Sequence, residues 1–353
     1  MSERTFILVG GPDCGKTNYI ARLWESIRSK TGALVAPRPP QNIEFVEKAL
    51  EFLLKGEFAP RSNRDVAEST YSFEVSVRKA GDANGPLSDI VVPDVTGELW
   101  KKTLETYEIP KDWMQTLQRA SGALLFVREG SEENEVALDW VTCAKFLAQR
   151  AKARAARNAK NDAGDDMKND AAGDAKNDRG EATTAAASEV AAALAEESRE
   201  SSAPSETRGN DQAQVDQPVD DEGKPTKIPT QIALCEFLRF LDFGLKRTPG
   251  GPMPRVAVVV TAWDRLDKEK RVQGPMAYLR TQYPMFAGRL EDIETLEVKT
   301  FGVSVVSGDF SDPAFKAEFF EKGLKNAGYV VTNDKPAEFV SDLTLPVAWV
   351  MTS

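Results

Sequence analysis

The feature that most constrains the fold is the run Gly-Gly-Pro-Asp-Cys-Gly-Lys-Thr at Gly10–Thr17. An apolar segment typical of a buried strand, Thr5–Val9, precedes it, and a segment with helical apolar periodicity, Asn18–Ser29, follows it. At such a junction, glycines let successive backbone amides turn toward one point, and the helix adds its positive N-terminal end. The run therefore predicts a strand–loop–helix unit whose loop, here named the phosphate loop, encloses a phosphate group.

The side chains of the phosphate loop have separate predicted tasks. Lys16 can reach the β- and γ-phosphates of a nucleoside triphosphate, where its charge makes it a candidate catalytic residue. The Thr17 hydroxyl is a candidate ligand of Mg²⁺, a cation that prefers oxygen. Cys14 could sense oxidation, but we predict that it serves only as an inert small residue of the loop. The residues predicted to contact the nucleotide here are Gly10, Pro12, Asp13, Cys14, Gly15, Lys16, Thr17 and Asn18.

A second motif, Asp94-Val95-Thr96-Gly97, follows a short apolar strand that ends at Pro93. An aspartate at the end of a strand beside the phosphate loop can hold Mg²⁺ through a water molecule, and the Gly97 amide can bond the γ-phosphate. Such a loop would change conformation with the presence of that phosphate. Glu98 is predicted to act on the attacking water as a catalytic residue, and the alternative is a solvated glutamate at the start of a helix.

The region before the second strand should supply a further hydroxyl ligand for Mg²⁺. Thr70 has the best spacing to Asp94, and Ser62 is the alternative. Arg61 or Arg64 is a candidate internal arginine finger, although such arginines are more often solvated charges. Because no finger stands out, we predict slow intrinsic turnover that a partner accelerates.

A third motif, Thr261-Ala262-Trp263-Asp264, ends the most β-branched strand of the chain. The Asp264 carboxylate can accept hydrogen bonds from the ring and exocyclic nitrogens of guanine, whereas adenine would leave it unpaired. The alternative is an aspartate that caps the N-terminus of a helix. Thr261 is included among the residues predicted to bind the nucleotide. Ala262 has no long side chain that could cover the base, and Trp263 is a candidate to provide such cover.

A fourth motif, with Ser304 as the preferred residue and Ser307 as the alternative, ends a later strand, where an amide can contact guanine. The four motifs occur in the order found in Ras-like GTPases of the TRAFAC class, which the sequence resembles. It is also similar to the bacterial double-GTPase type linked to conflict and defence systems, mainly between Pro229 and Asp264. The resemblance implies GTP as substrate, GDP as product, Mg²⁺ as cofactor and a second GTPase or an effector as protein partner.

Outside one segment, predicted strands and helices alternate, which favours a mostly parallel sheet with helices on both faces. We therefore predict a three-layer α/β fold of the P-loop NTPase, Ras-like type. Residues 151–227 have almost no large apolar side chains and carry an eight-residue repeat, so they are predicted to form a disordered insert. Residues 1–150 and 228–353 would then form the two parts of one GTPase domain.

Composition excludes several classes of function. The chain has no histidine, which rules out a Ser-His-Asp or Cys-His nucleophile and a zinc site with histidine ligands. A net charge of −10 gives no reason to expect a nucleic-acid partner. The three cysteines lack metal-ligand spacing, and no apolar run has the length of a membrane span. We therefore expect a cytoplasmic protein without a membrane partner.

Two other functions compete with a GTPase switch. One is an ATP-specific P-loop NTPase or nucleotide kinase, although no arginine-bearing lid segment stands out. The other is a nucleotide-bound adaptor with little hydrolysis, which would use the predicted helix Asn134–Arg150 or the C-terminus to dock its partner. Ala262 and Glu98 differ from the residues that many GTPases have at these places, which leaves the adaptor as an alternative.

Overall fold

The computed structural model describes residues 4–40, 43–60, 73–92, 97–106, 108–130 and 228–352. Every helix and strand in these ranges belongs to one compact unit, Met1–Val136 with Pro229–Ser353. A second unit, Ala137–Ile228, lies outside the described residues except for Ile228 itself. The predicted insert at residues 151–227 and the predicted helix Asn134–Arg150 also lie outside them, so both stay predictions.

The described residues build an eight-stranded mixed sheet with the order β2-β3-β4-β1-β5-β6-β7-β8. The strands are β1 (Arg4–Val9), β2 (Leu34–Val35), β3 (Phe73–Lys79), β4 (Ser88–Val92), β5 (Ala120–Arg128), β6 (Arg255–Thr261), β7 (Glu297–Ser304) and β8 (Tyr329–Thr332). The central strands β4, β1, β5, β6 and β7 are parallel, and antiparallel pairs lie at both edges. The predicted α/β fold with a mostly parallel sheet is therefore confirmed.

Helices cover both faces of this sheet. They are α1 (Lys16–Ser29), α2 (Glu44–Leu54), α3 (Glu98–Thr106), α4 (Lys111–Arg119), α5 (Thr230–Gly244), α6 (Lys268–Arg271), α7 (Pro275–Gln282), α8 (Pro284–Asp292), α9 (Pro313–Lys322) and α10 (Leu345–Met351). On one face, apolar side chains of α1 and α10 pack with alternate residues of β1 and β5, such as Leu8 and Phe126. On the other face, Trp100 of α3 packs edge-on against Trp113 of α4 and Phe237 of α5.

The sheet joins the two parts of the described chain, the one before and the one after the predicted insert. Strand β5, from the first half, pairs in parallel along its length with β6, from the second half, with Gly122 opposite Arg255 and Arg128 opposite Thr261. The valine and alanine residues of β6 are fully buried, and the strand predicted from its β-branched residues is present. This pairing brings the motifs of both halves to the same edge of one sheet.

The sequence predictions were least accurate near the C-terminus. Strand β8 follows β7 and pairs antiparallel with it, and no sequence pattern predicted this strand. Val340 forms an isolated bridge with Val330, and α10 begins soon after it at Leu345. Among the described residues, no helix has the length and apolar character to cross a membrane.

Candidate nucleotide-binding site

The sequence motifs meet where the parallel strands end. The phosphate loop follows β1, and Arg128, Thr261 and Ser304 are the last residues of β5, β6 and β7. Carboxyl ends of neighbouring parallel strands lie at one edge of a sheet, and ligands of open α/β folds bind in the crevice beyond that edge. The motifs are thus gathered by topology rather than by closeness in sequence.

The Lys16 side chain is buried inside the phosphate loop. Its Nζ donates hydrogen bonds to the carbonyl oxygens of Gly10 at 2.6 Å and Gly11 at 2.9 Å, and it lies 3.4 Å from the Cys14 Sγ. Only 3% of the residue is exposed, so the loop backbone supplies most of the solvation of this ammonium group. The arrangement concentrates positive charge where the loop amides and the first turn of α1 converge.

Gly15 is a residue of the loop at which both backbone conformation and space require glycine. It caps the N-terminus of α1 with φ +83°, a left-handed conformation that side chains disfavour. A Cβ there would also lie 2.8 Å from the Thr261 Oγ1. Thr261 in turn donates a hydrogen bond from its buried hydroxyl to the Cys14 carbonyl oxygen at 2.9 Å. The end of β6 therefore holds the phosphate loop directly, which links the predicted base motif to the predicted phosphate motif.

The glycine of the second motif also contacts the phosphate loop. Gly97 has φ +83°, and a Cβ on it would lie 2.5 Å from the carbonyl carbon of Gly11 and 2.6 Å from the nitrogen of Pro12. This close approach requires glycine and brings the start of α3 against the loop. Asp94, Thr70 and the Glu98 side chain lie outside the described residues, so their predicted roles stay predictions.

Asp264 lies beyond β6 in a short 3-10 turn, next to the end of β7. Burial raises the pKa of its carboxyl above the ordinary value of 3.8, although a hydrogen bond from the Ser304 hydroxyl and the charges of Arg265 and Arg271 act to lower it. Ser304 is fully buried, and its hydroxyl oxygen also accepts a hydrogen bond from the Ser307 amide at 2.8 Å. The two predicted base-contacting residues are therefore brought together, and Ser304 orients both the carboxylate and the following turn.

Trp263 does not form the predicted cover over a base. Its ring is fully buried and packs against Gly302, where a Cβ would lie 2.5 Å from the indole Cδ2. Tyr278 stacks edge-on against it with ring centroids 5.7 Å apart. A ring enclosed in the core in this way cannot also face a ligand, so the hypothesis of an indole cover is wrong. Ala262, with φ 57°, takes a left-handed conformation that turns the chain from β6 into Asp264.

Three polar contacts at the site were missed from the sequence. Arg128 pairs with Asp13 of the phosphate loop, and the Asn18 Oδ1 accepts a hydrogen bond from the Ala59 amide at 3.0 Å. Buried Arg22 of α1 donates from its Nε to the Val305 carbonyl oxygen at 2.9 Å. The position of Arg128, a charge at the carboxyl end of a buried central strand, was a usable signal. The partners of Asn18 and Arg22 are set by packing and have no sequence signature.

The described residues suit Mg²⁺ that is bound mainly through a nucleotide. They contain no group of three or more histidine, cysteine, aspartate or glutamate residues able to hold a metal ion. Mg²⁺ usually keeps several waters and takes few protein ligands together with substrate phosphates, so a protein cage is not required. The Thr17 hydroxyl, in the first turn of α1 directly after Lys16, is an oxygen donor of the expected kind. It would be one protein ligand, and Mg²⁺ would supply neutralising charge to the phosphates.

Together the strand–loop–helix unit, the buried lysine and the strand order define a P-loop NTPase. The family profile described as Double-GTPase 1 matches residues 7–350, nearly the whole chain. The chain therefore belongs to the Double-GTPase 1 family, and this membership indicates a GTP-binding domain of the P-loop hydrolase class. No curated protein matches the chain.

The raised pKa of Asp264 gives a stability prediction. A carboxyl whose pKa is higher in the folded than in the unfolded protein stabilises the fold while it is protonated, and this contribution is lost as pH rises through the folded pKa. At pH 7 without nucleotide, Asp264→Asn should therefore raise the melting temperature, and the difference should shrink as pH falls toward 4. Thermal unfolding of both proteins across that range checks this. A variant that melts lower than wild type at pH 7 would contradict it.

Proposed function

We propose that the protein binds GTP with Mg²⁺ and hydrolyses it to GDP and phosphate, acting as a nucleotide-dependent switch. The observation that carries the proposal is the bond from Thr261 to the Cys14 carbonyl oxygen, because it joins a phosphate loop and a guanine-type aspartate in one rigid edge. In this proposal the triphosphate binds at the N-terminus of α1 and the base binds at Asp264. The Double-GTPase 1 membership supports guanine over adenine.

Hydrolysis in this proposal depends on positioning and charge rather than on a nucleophilic side chain, which fits a chain without histidine. Lys16 exchanges its bonds to the Gly10 and Gly11 carbonyl oxygens for phosphate oxygens and stabilises charge on the γ-phosphoryl group. Gly97, packed against the loop, offers its amide to the same group. Glu98 would then orient the attacking water, as predicted from its place after Gly97.

A nucleotide-bound adaptor with little hydrolysis is the second candidate. The observation that favours it is the enclosure of Trp263 in the core, since neither this ring nor Ala262 provides the long stem that covers the base in typical GTPases. For both candidate functions we propose the same protein partner, which is a second GTPase or an effector. A cytoplasmic location and a role in a bacterial conflict or defence system belong to the proposal as well.

Titration with fluorescent GTP and ATP analogues, each with and without Mg²⁺, tests the proposed binding. We expect GTP to bind more tightly by on the order of 100-fold, because a buried carboxylate left unpaired by adenine costs several kcal/mol. Equal affinity for the two nucleotides would contradict the guanine assignment. Phosphate release under single-turnover conditions then separates the two candidates, since the adaptor would bind GTP without releasing phosphate.

Asp264→Asn should move base preference from guanine toward xanthine nucleotides. The asparagine amide donates where the carboxylate accepts, and so it matches the additional carbonyl of xanthine. We expect GTP affinity to fall by about 100-fold and xanthosine triphosphate to bind the variant more tightly than GTP. Asp267→Asn is the matched control, because Asp267 is largely exposed and its carboxylate lies 3.5 Å from the Lys270 ammonium group in a loose ion pair. Unchanged GTP affinity in the Asp264 variant would remove Asp264 from the base site.

A further inference from the structure

We propose that Arg128 is a positioning residue that neutralises Asp13, so that a loop containing a carboxylate can still accept a nucleoside triphosphate. The inference rests on the proposed function and deepens it by explaining how the phosphate loop tolerates an acid. It assigns Arg128 a role in nucleotide affinity although Arg128 belongs to none of the four sequence motifs.

The contact between the two residues is double. The Arg128 guanidinium forms an ion pair with the Asp13 carboxylate, and its Nη1 also lies 3.3 Å from the Asp13 carbonyl oxygen. Asp13 has φ 57°, in the left-handed region, which aspartate adopts more readily than most residues other than glycine. Arg128 thus contacts both the side chain and the main chain of a residue whose amide belongs to the phosphate loop.

The ends of the neighbouring strands β5 and β6 contact successive residues of the phosphate loop. Arg128 ends β5 and contacts Asp13, and Thr261, its partner in the β5–β6 register, ends β6 and contacts Cys14. The Glu129 amide donates to the Thr261 carbonyl oxygen at 3.1 Å, which fixes the chain directly after Arg128. Successive loop residues are therefore held by adjacent strands.

The charges of Arg128 and Asp13 determine the expected effect of this pair on nucleotide binding. The phosphate loop must approach a ligand that carries about four negative charges, and Lys16 is the positive side chain within the loop itself. An unpaired carboxylate at Asp13 would cancel that charge at short range. Both side chains are 29% exposed, so solvent screens them less than it screens a typical surface pair. With Arg128 in place, the pair is neutral and the charge of Lys16 remains available to the phosphates.

A double-mutant cycle with Arg128→Met, Asp13→Asn and the combined variant tests the proposal. Fluorescent GTP is titrated with Mg²⁺ at about 50 mM and about 500 mM salt, spanning strong and weak screening. We expect Arg128→Met to weaken binding by about tenfold or more at low salt and clearly less at high salt. The combined variant should bind GTP at least about threefold more tightly than Arg128→Met, because it no longer leaves an unpaired carboxylate in the loop, and Asp13→Asn alone should weaken binding less than Arg128→Met does. Arg247→Met, which breaks an exposed pair with Asp242, is the control and should bind as wild type does.

Recovery in the combined variant distinguishes this proposal from a purely structural role. If the combined variant binds as weakly as Arg128→Met, the arginine contacts the nucleotide or supports the fold by other means, and the proposal is overturned. Wild-type affinity in Arg128→Met overturns it too. Melting temperatures of the nucleotide-free variants identify any that fail to fold, and Arg128→Lys, which keeps the charge, should then retain most of the affinity. Failure of the wild type itself to bind GTP would instead overturn the proposed function.

Discussion

Lys16→Ala is expected to reduce GTP affinity by on the order of 1000-fold while the protein stays folded. The ammonium group is enclosed by the loop that would surround the phosphates, with 3% of the residue exposed, so its charge acts through little solvent. Charge-assisted hydrogen bonds to more than one phosphate oxygen are lost together, and a small side chain replaces none of them. Fluorescent GTP titration measures the loss.

The same variant carries a stability prediction that separates binding from folding. In the nucleotide-free protein, Lys16 satisfies the carbonyl oxygens of Gly10 and Gly11, so alanine should lower the free energy of unfolding by about 1–3 kcal/mol. Lys322→Ala, on α9 and largely exposed beside Glu318, is the control and should change both quantities little. Unchanged GTP affinity in a folded Lys16→Ala protein would overturn the assignment of the phosphate loop.

Sequence reasoning succeeded where local chemistry dictates structure. The strand–loop–helix unit around Gly10–Thr17 and the strand β6 both rest on short runs whose residue types have one dominant use. It failed where the answer depends on a distant neighbour. Trp263 was expected beside a base, but it packs against Gly302, and only the register of β6 with β7 brings that glycine beneath the ring. Strand β8 has only four residues, too few for a periodicity to predict it.

The residues that hold the candidate site in place also have partners that are distant in sequence. Arg128 and Asp13 are separated by 115 positions in the sequence, and Arg22 and Val305 by 283. A single charged residue in an amphipathic helix resembles any solvated position until the fold shows it buried. The motifs thus suggested the candidate site residues, whereas the residues that contact them from distant parts of the chain had no sequence signature. Those holding residues provide the strongest stability test.

Arg22→Met is expected to lower the free energy of unfolding by about 3 kcal/mol and to weaken GTP binding as well. Arg22 is 1% exposed on α1, and burial lowers its pKa to about 10, so it stays charged at neutral pH. Its Nε bonds the Val305 carbonyl oxygen at 2.9 Å and its Nη2 bonds that of Ala327. Methionine fills similar space but leaves both carbonyl oxygens without this charged donor. Because Val305 directly follows Ser304, the loss should reach the carboxylate of Asp264.

Chemical denaturation and GTP titration together decide whether this coupling exists. Arg280→Met is the matched control, since Arg280 lies on α7 in an exposed pair with Glu291, and it should cost less than about 1 kcal/mol and leave binding unchanged. Arg22→Lys keeps a charge that can reach one carbonyl oxygen and should recover part of both losses. A loss of stability without any change in GTP affinity would show that Arg22 fastens α1 to β7 but does not set the base site. Parallel recovery of both in Arg22→Lys would show that one buried arginine orders the phosphate helix and the base turn as a single body.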